Sequence, residues 1–370
     1  MNQRIDQIIL GEKIIMKAVL LAPTPPPAGG IAGWTARMMN AVLKNGWKLQ
    51  VVDEKVIGKR GVFGTQDKRN YFTEVIRCMK IWGELFKTLH DKDVKVVHSC
   101  IPSLPLAMIR EYICAIITKL YGRKFVVHFR CTVPNTTKGR ISNKILKKLC
   151  KKADLIICLN SQSENFLIKI TKTPTIIIPN FIEMRELEEE HEIRETIKKA
   201  IYVGGVVEDK GVIDLIEVAK HYPNIVFEIV GDGDISIKEA AEKDNVRNVV
   251  FTGVKERLEV KQKLKDSDIF IFLTYFYGEG FSNALCEAMA MGLPCIVTDW
   301  AANKDMIGEK GGVVVDVHDI EGVVAAISGM QYKSVREAMS RANIRKVKEE
   351  YLDQVVIDQY VDAYESLLAK

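Results

Sequence analysis

The sequence predicts an α/β protein built as two doubly wound, Rossmann-like domains that face each other across a cleft. Three observations predict it. Short β-branched and apolar runs alternate with helix-length segments through most of the 370 residues, the pattern of parallel sheets covered on both faces. The alternation pauses once, in a charge-dense stretch at 183–199 that includes Glu188, Glu189 and Glu190, and then restarts. The formal charge changes sign at the same place: residues 1–182 hold 30 Lys and Arg against 12 Asp and Glu, whereas residues 183–370 hold 23 against 36. We therefore place one domain at 1–182, a second at 183–345, and a C-terminal helix at 346–370 that crosses back to the first.

In the first domain, strands are expected at 17–23, 47–52, 94–98, 124–129, 155–159 and 175–178, strand-like runs separated by segments with helical spacing. A helix is expected from Ile31 to about Asn45, because the first strand ends in Pro25-Pro26-Pro27-Ala28-Gly29-Gly30 and apolar residues then recur at helical spacing. In the second domain the strands are expected at 200–203, 226–230, 249–251, 269–273, 295–298 and 312–315. The stretch 334–368 is helical in pattern and rich in charge.

Composition narrows the class. With 47% hydrophobic and 27% charged residues, the chain is neither disordered nor a disulfide scaffold. The 8 cysteines are scattered without two-residue spacing, which argues for reduced core thiols in a cytoplasmic protein. Arg4, Asp6, Glu12 and Lys13 interrupt the start, which is not read as a signal peptide, and residues 1–16 are left unassigned. The run at 101–121 is broken by Arg110, Glu111 and Lys119, too often to span a bilayer.

Ligands of open α/β sheets bind beyond the carboxyl ends of the strands, so the loops there carry the chemistry. After the first strand, Gly29, Gly30 and Gly33 allow backbone N–H groups close to a phosphate or sugar, although the spacing is not that of a dinucleotide fingerprint and a tight turn explains it equally. After the strand at 200–203 comes Gly204-Gly205-Val206-Val207-Glu208-Asp209-Lys210-Gly211. Lys210 precedes a helix from about Val212, where an ammonium suits a diphosphate; in isolation it reads as a solvated lysine in a helix-entry turn. The strongest signal is Glu279-Gly280-Phe281-Ser282-Asn283, leading into a helix that carries Glu287. Its first N–H groups can bind phosphate, and two carboxylates can accept from sugar or ribose hydroxyls. A capped Ala/Met-rich core helix would explain Ala288, Met289 and Met291, but not Gly280. His128 ends the strand at 124–129 and is expected to face the ligand; His90, His98, His191, His221 and His318 are read as structural or surface residues.

Two further features bear on partners. Residues 138–152 form a basic amphipathic helix, with Ile141, Ile145, Leu146 and Leu149 on one stripe and Lys144, Lys147, Lys148, Lys151 and Lys152 outside it. That patch suits an anionic membrane surface or acceptor. Nucleic acid is not expected, because no aromatic stacking pattern or reading helix accompanies the charge. The Asp-x-Asp triplets starting at Asp91, Asp232 and Asp266 are read as a turn or lie ahead of strands, so no metal is expected.

Taken together these residues resemble the retaining glycosyltransferases of family 4, which have the GT-B fold. The resemblance runs from Lys17 onward and is carried by the Glu279–Glu287 motif, with Ile178-Pro179-Asn180, Val203-Gly204 through Lys210-Gly211, Ile229-Val230-Gly231-Asp232-Gly233 and Phe251-Thr252-Gly253 in order around it. It implies a UDP- or GDP-sugar held by the second domain, with Glu287 on the ribose and Glu279 on the sugar. Phe281, Ser282 and Asn283 would meet the sugar or diphosphate through their N–H groups, and Lys210 would neutralise the departing diphosphate. Gly30 would close over the phosphates and His128 would touch the transferred sugar. The acceptor would be lipid-linked or polysaccharide, as in envelope polysaccharide or glycolipid synthesis, on a protein peripheral to the inner face of the cell membrane. No metal, cofactor or protein nucleophile is implied, and closure would hinge near 180–200. Two departures stand out: Gly205 occupies the place of a common arginine, leaving its role to another cation such as Arg130 or Lys304, and the usual Gly-Gly-x-x-Glu loop reads Ala301-Ala302-Asn303-Lys304-Asp305. A sugar-nucleotide epimerase, a phosphorylase of the same shape and a non-catalytic nucleotide-sugar binding protein are the alternatives.

Overall fold

The computed structural model of the chain describes residues 16–26, 30–55, 71–188 and 190–369. Gly29 and residues 1–15 lie outside them. The first domain contains β1 (Lys17–Ala22), β2 (Lys48–Asp53), β3 (Val94–Ile101), β4 (Lys124–Phe129), β5 (Leu155–Cys158) and β6 (Thr175–Ile177). They form one parallel sheet in the order β2-β1-β3-β4-β5-β6. The second contains β7 (Lys199–Val203), β8 (Val226–Val230), β9 (Val249–Gly253), β10 (Ile269–Phe272), β11 (Cys295–Thr298) and β12 (Gly312–Val315), in the order β12-β11-β10-β7-β8-β9. The strand order reverses beside β1 in one sheet and beside β7 in the other, which opens a ligand crevice at the carboxyl ends of β1/β3 and of β7/β10.

Alternation along the strands assigns each side chain to one face. Val19, Leu21, Phe125, Val127 and Phe129 join the core under helices Tyr71–Thr88 and Pro105–Leu120, while Ala18, Leu20, Val126 and Ile157 face the opposite side. That opposite side is covered by Trp34 and Met38, from helix Gly30–Met39, and by helix Asp353–Leu368 through Val356, Ile357, Tyr360, Val361 and Tyr364.

The helical stretch at 334–368 is two helices. Lys333–Lys346 stays with the second domain, a wide turn follows at Val347–Tyr351, and Leu352 is extended before Asp353–Leu368 begins on the first domain. The return crossing runs beside the outgoing one, with Ile182 N–H donating to Tyr351 O (3.0 Å) and Asp353 N–H to Ile182 O (2.8 Å). Among the described residues no helix is long and apolar enough to cross a membrane.

Candidate functional site

The reversal point of the second sheet brings together the loops after β7 and β10. Lys210 Nζ lies 2.5 Å from Glu279 Oε2 and 4.6 Å from the Phe276 ring centre. Glu279 begins the turn into helix Asn283–Ala290, whose N-cap Ser282 accepts from Leu285 N–H at 3.2 Å. The N–H groups of Gly280, Phe281, Ser282 and Asn283 have no acceptor among the described residues, although Phe281 and Ser282 are buried. Unpaired N–H groups at a helix start form a cradle for an anion. Gly204 contributes no such group, because its N–H donates to Val230 O (3.0 Å).

Glu287 sits one turn further along and lines a pocket of about 380 Å³ with Arg185, Arg257, Leu258, Lys261 and Met291. Burial pushes its carboxyl above the usual range, opposed by Arg37 and Arg257. Arg37, from the first domain, approaches to 3.7 Å and also donates to Phe181 O at 2.7 Å, so it links the pocket to the crossing segment. Nothing in the local pattern singles out Arg37, which reads in the sequence as one more polar residue on an amphipathic helix.

The first domain reaches the Glu279 loop directly. Thr132 donates to Glu279 O from its N–H (3.0 Å) and its hydroxyl (2.8 Å). Asn160 Nδ2 donates to Gly280 O at 2.9 Å, and Asn180 Nδ2 to Asn283 Oδ1 at 3.0 Å. The loop at 301–305 joins this clasp: Asp305 accepts from Ser161 N–H and Oγ, both at 2.8 Å. Gly30 is the first residue of helix Gly30–Met39, at the β1 end of the crevice.

His128 does not face a ligand. It follows Val126 onto the face covered by Trp34 and the C-terminal helix, and it is fully buried. Burial beside Arg130 and His98 pushes its pKa well below the ordinary value, and His98 falls to about 3 through burial and Arg130, so both rings are neutral. Their tautomers follow. Arg130 can only donate, so His128 Nε2 accepts (3.2 Å); His128 Nδ1–H then donates to His98 Nε2 (3.1 Å), and His98 Nδ1–H to the Tyr364 hydroxyl (2.6 Å). His98, Cys100 and His128 lie close enough to be considered as metal ligands, but all four imidazole nitrogens are engaged in this chain.

The basic helix is Arg140–Lys152. It buries Ser142, Leu146, Leu149 and Cys150, whereas Ile141 is 78% exposed, because the buried stripe runs through Ser142 and leaves Ile141 beside it. Lys144, Lys147, Lys148 and Lys151 line an open groove of about 720 Å³ with Arg140, and none of these or the half-buried Lys152 pairs with a carboxylate among the described residues.

Two parallel sheets, a crevice between them and an anion cradle on the second sheet define a GT-B architecture. Residues 183–346, within the second domain, match the family model described as glycosyl transferases group 1. The chain is 24% identical over 324 residues to the UDP-Gal:alpha-D-GlcNAc-diphosphoundecaprenol alpha-1,3-galactosyltransferase of Escherichia coli, covering 76% of this chain and 81% of that protein. It is 30% identical over 198 residues to an uncharacterized glycosyltransferase of Methanocaldococcus jannaschii, covering 48% of each. A putative teichuronic acid biosynthesis glycosyltransferase of Bacillus subtilis is 23% identical over 215 residues, 55% of this chain and 52% of that one. The chain thus spans about half the length of the latter two relatives. In fold it is similar to a sucrose-phosphate synthase from Thermosynechococcus elongatus (TM-score 0.76, 16% identity, 96% of this chain and 99% of that one). It is also similar to Anabaena Alr3699/HepE in complex with UDP (TM-score 0.70, 13% identity, 95% and 100%).

Proposed function

We propose that the chain is a retaining, family 4 hexosyltransferase that moves a sugar from a UDP- or GDP-sugar to a hydroxyl of a lipid-linked or polysaccharide acceptor. The observation that carries this reading is the Lys210–Glu279 pair, 2.5 Å apart, ahead of the open amide cradle at 280–283. A nucleoside would occupy the pocket at Glu287, its ribose hydroxyls donating to the carboxylate. The diphosphate would meet the cradle and Lys210, and Glu279 would accept from the sugar hydroxyls. On departure the diphosphate takes the acceptor proton, so no protein nucleophile, metal or cofactor is required. Complexes of HepE with UDP and with UDP-glucose, and a lipid-linked acceptor in the name of the E. coli relative, support the substrate classes.

A thermal-shift panel of UDP, GDP and ADP in metal-free buffer tests it. One nucleotide is expected to raise the melting temperature by mass action, and Glu287→Gln to remove most of that rise. The wild-type rise should shrink as pH falls into the raised titration range of Glu287, because a protonated carboxyl accepts more weakly from ribose; in Glu287→Gln that pH dependence should vanish. Stabilisation by none of the three would defeat the donor assignment.

For the acceptor side we propose that the unpaired lysines on Arg140–Lys152 rest on anionic lipid at the inner face of the cell membrane, with exposed Ile141 entering the headgroup layer. Sedimentation with vesicles containing phosphatidylglycerol should fall at least roughly fivefold in Lys144→Glu/Lys148→Glu, and vesicles of phosphatidylcholine alone should bind neither protein. Equal sedimentation of variant and wild type would remove this helix from membrane contact.

A further inference from the structure

The cations around the cleft differ in one respect. Lys210 is paired with Glu279, Arg37 approaches Glu287, Arg257 pairs with Glu186, and Lys304, 66% exposed, is 3.7 Å from Asp299. Arg130 has no carboxylate partner among the described residues, yet it is only 8% exposed. Its acceptors are neutral: His128 Nε2 at 3.2 Å and Asn180 Oδ1 at 2.5 Å, with the Trp34 face 4.5 Å beneath the guanidinium carbon. Its Nε has no hydrogen-bond partner among the described residues, and the Tyr360 hydroxyl that also faces the guanidinium is neutral. Buried Arg336 also has no carboxylate in ion-pair contact among the described residues, but three backbone carbonyls hold it, those of Met330, Arg194 and Glu195. A buried guanidinium facing only neutral acceptors is costly unless an anion joins it.

Its position indicates which anion. Asn180, which accepts from Arg130, donates to Asn283, the first residue of helix Asn283–Ala290. Arg130 thus lies one amide side chain away from the open N–H cradle, and the backbone beneath it touches the same loop, since a Cβ at Gly280 would stand 3.0 Å from Arg130 O. Trp34, on which it stacks, is in the second turn of the helix that opens at Gly30. The start of helix Asn283–Ala290 and Lys210 adjoin the Glu279 loop, the Arg130 guanidinium lies one amide side chain from that helix start, and each favours negative charge.

Resting on the donor reading above, we propose that Arg130 is the second cation of the donor site: it binds the diphosphate of the nucleoside-diphosphate sugar opposite Lys210. In the reaction the bond from the anomeric carbon to the phosphate oxygen breaks, and its electron pair goes to that oxygen. The acceptor oxygen bonds the anomeric carbon, and its proton passes to the departing phosphate. Arg130 and Lys210 stabilise the charge that develops on the leaving diphosphate. Arg130 exchanges a neutral amide acceptor, Asn180 Oδ1, for an anionic one, which favours the ligand-bound arrangement. The guanidinium comes from the first domain, so the leaving-group clamp is complete only when the domains meet. Gly205, in the loop before Lys210, contributes no side chain to it.

The test compares nucleoside diphosphate with nucleoside by titration calorimetry, using UDP with uridine and GDP with guanosine. Arg130→Met should weaken binding of the preferred diphosphate roughly 10- to 100-fold while changing the matching nucleoside less than about twofold. Arg130→Lys keeps one charge without the fork and should lose roughly three- to tenfold. Diphosphate affinity within about twofold of wild type in Arg130→Met, or in Arg130→Lys should the first variant not fold, overturns the assignment and leaves the donor reading intact. A wild-type protein that binds neither diphosphate overturns the donor reading, and this assignment with it.

Discussion

Lys210→Ala lowers the release of nucleoside diphosphate from the bound donor by roughly 10²–10³-fold, the scale of removing one fixed charge from a developing anion. The release of UDP or GDP by slow donor hydrolysis, followed in single turnover, reads this without a known acceptor. Lys210 is poised for the role by its surroundings. It rests on the Phe276 ring and is held at 2.5 Å by Glu279, so its ammonium is fixed near the cradle before any ligand arrives. A pre-placed charge needs no reorganisation when the sugar–phosphate bond breaks, which is why its loss should appear in kcat more than in KM. The substitution also removes the one cation that pairs with Glu279 among the described residues, so that carboxylate, 12% exposed, is left without a partner, and a moderate fall in apparent stability should accompany the lost rate. Lys210→Arg keeps the charge but carries a longer, planar head, and should recover part of the rate. A Lys210→Ala rate within threefold of wild type would show that the diphosphate leaves without this residue.

Much of this architecture is legible in the sequence because it is local. Strand runs such as 124–129 and 269–273 are contiguous apolar segments, and the loops that follow them announce themselves by Gly, Ser and Asn. Glu279 and Glu287 are eight positions apart on one turn-and-helix unit, so their proximity follows from chain geometry alone. His128 shows the limit of such reading. Its place at a strand end is local, but the side its ring takes is decided by alternation from Val126 and by a C-terminal helix more than two hundred residues away. The chain Tyr364–His98–His128–Arg130–Asn180–Asn283 joins five separate segments, and no spacing rule connects them. Ile141 fails for a related reason: helical periodicity shows which residues share a stripe, but not which of two neighbouring stripes the core takes, and here it takes Ser142 with Leu146 and Leu149. The Arg130 environment is legible only as an absence of carboxylates in space, and a sequence does not display that.

Gly280→Val separates the two domains while leaving each folded, and transferase or hydrolase activity falls roughly 100-fold, as a displacement of about 1 Å in reacting groups can do. The groups a side chain there would meet belong to the opposite domain. A Cβ at Gly280 would stand 2.9 Å from Leu159 Cδ1, 3.0 Å from Arg130 O and 3.0 Å from Cys131 Cα. The leucine terminus can turn away, but the two backbone atoms cannot, because they continue from the end of β4. With two further methyls the domains must part, and the hydrogen bonds Thr132–Glu279 and Asn160–Gly280 lengthen with them. Asp305 to Ser161 and Arg37 to Glu287 lie elsewhere on the interface, so the parting should be a tilt and not a dissociation. The second domain keeps its nucleoside pocket, because Glu287 and Arg257 are not touched by the new side chain. Uridine or guanosine should therefore bind within about threefold of wild type, while small-angle scattering shows a larger radius of gyration. Diphosphate binding should weaken more than nucleoside binding, since Arg130 moves away with the first domain. An unchanged scattering profile with full activity would mean that the interface absorbs the side chain, and loss of nucleoside binding as well would place the damage inside the second domain instead of between the two.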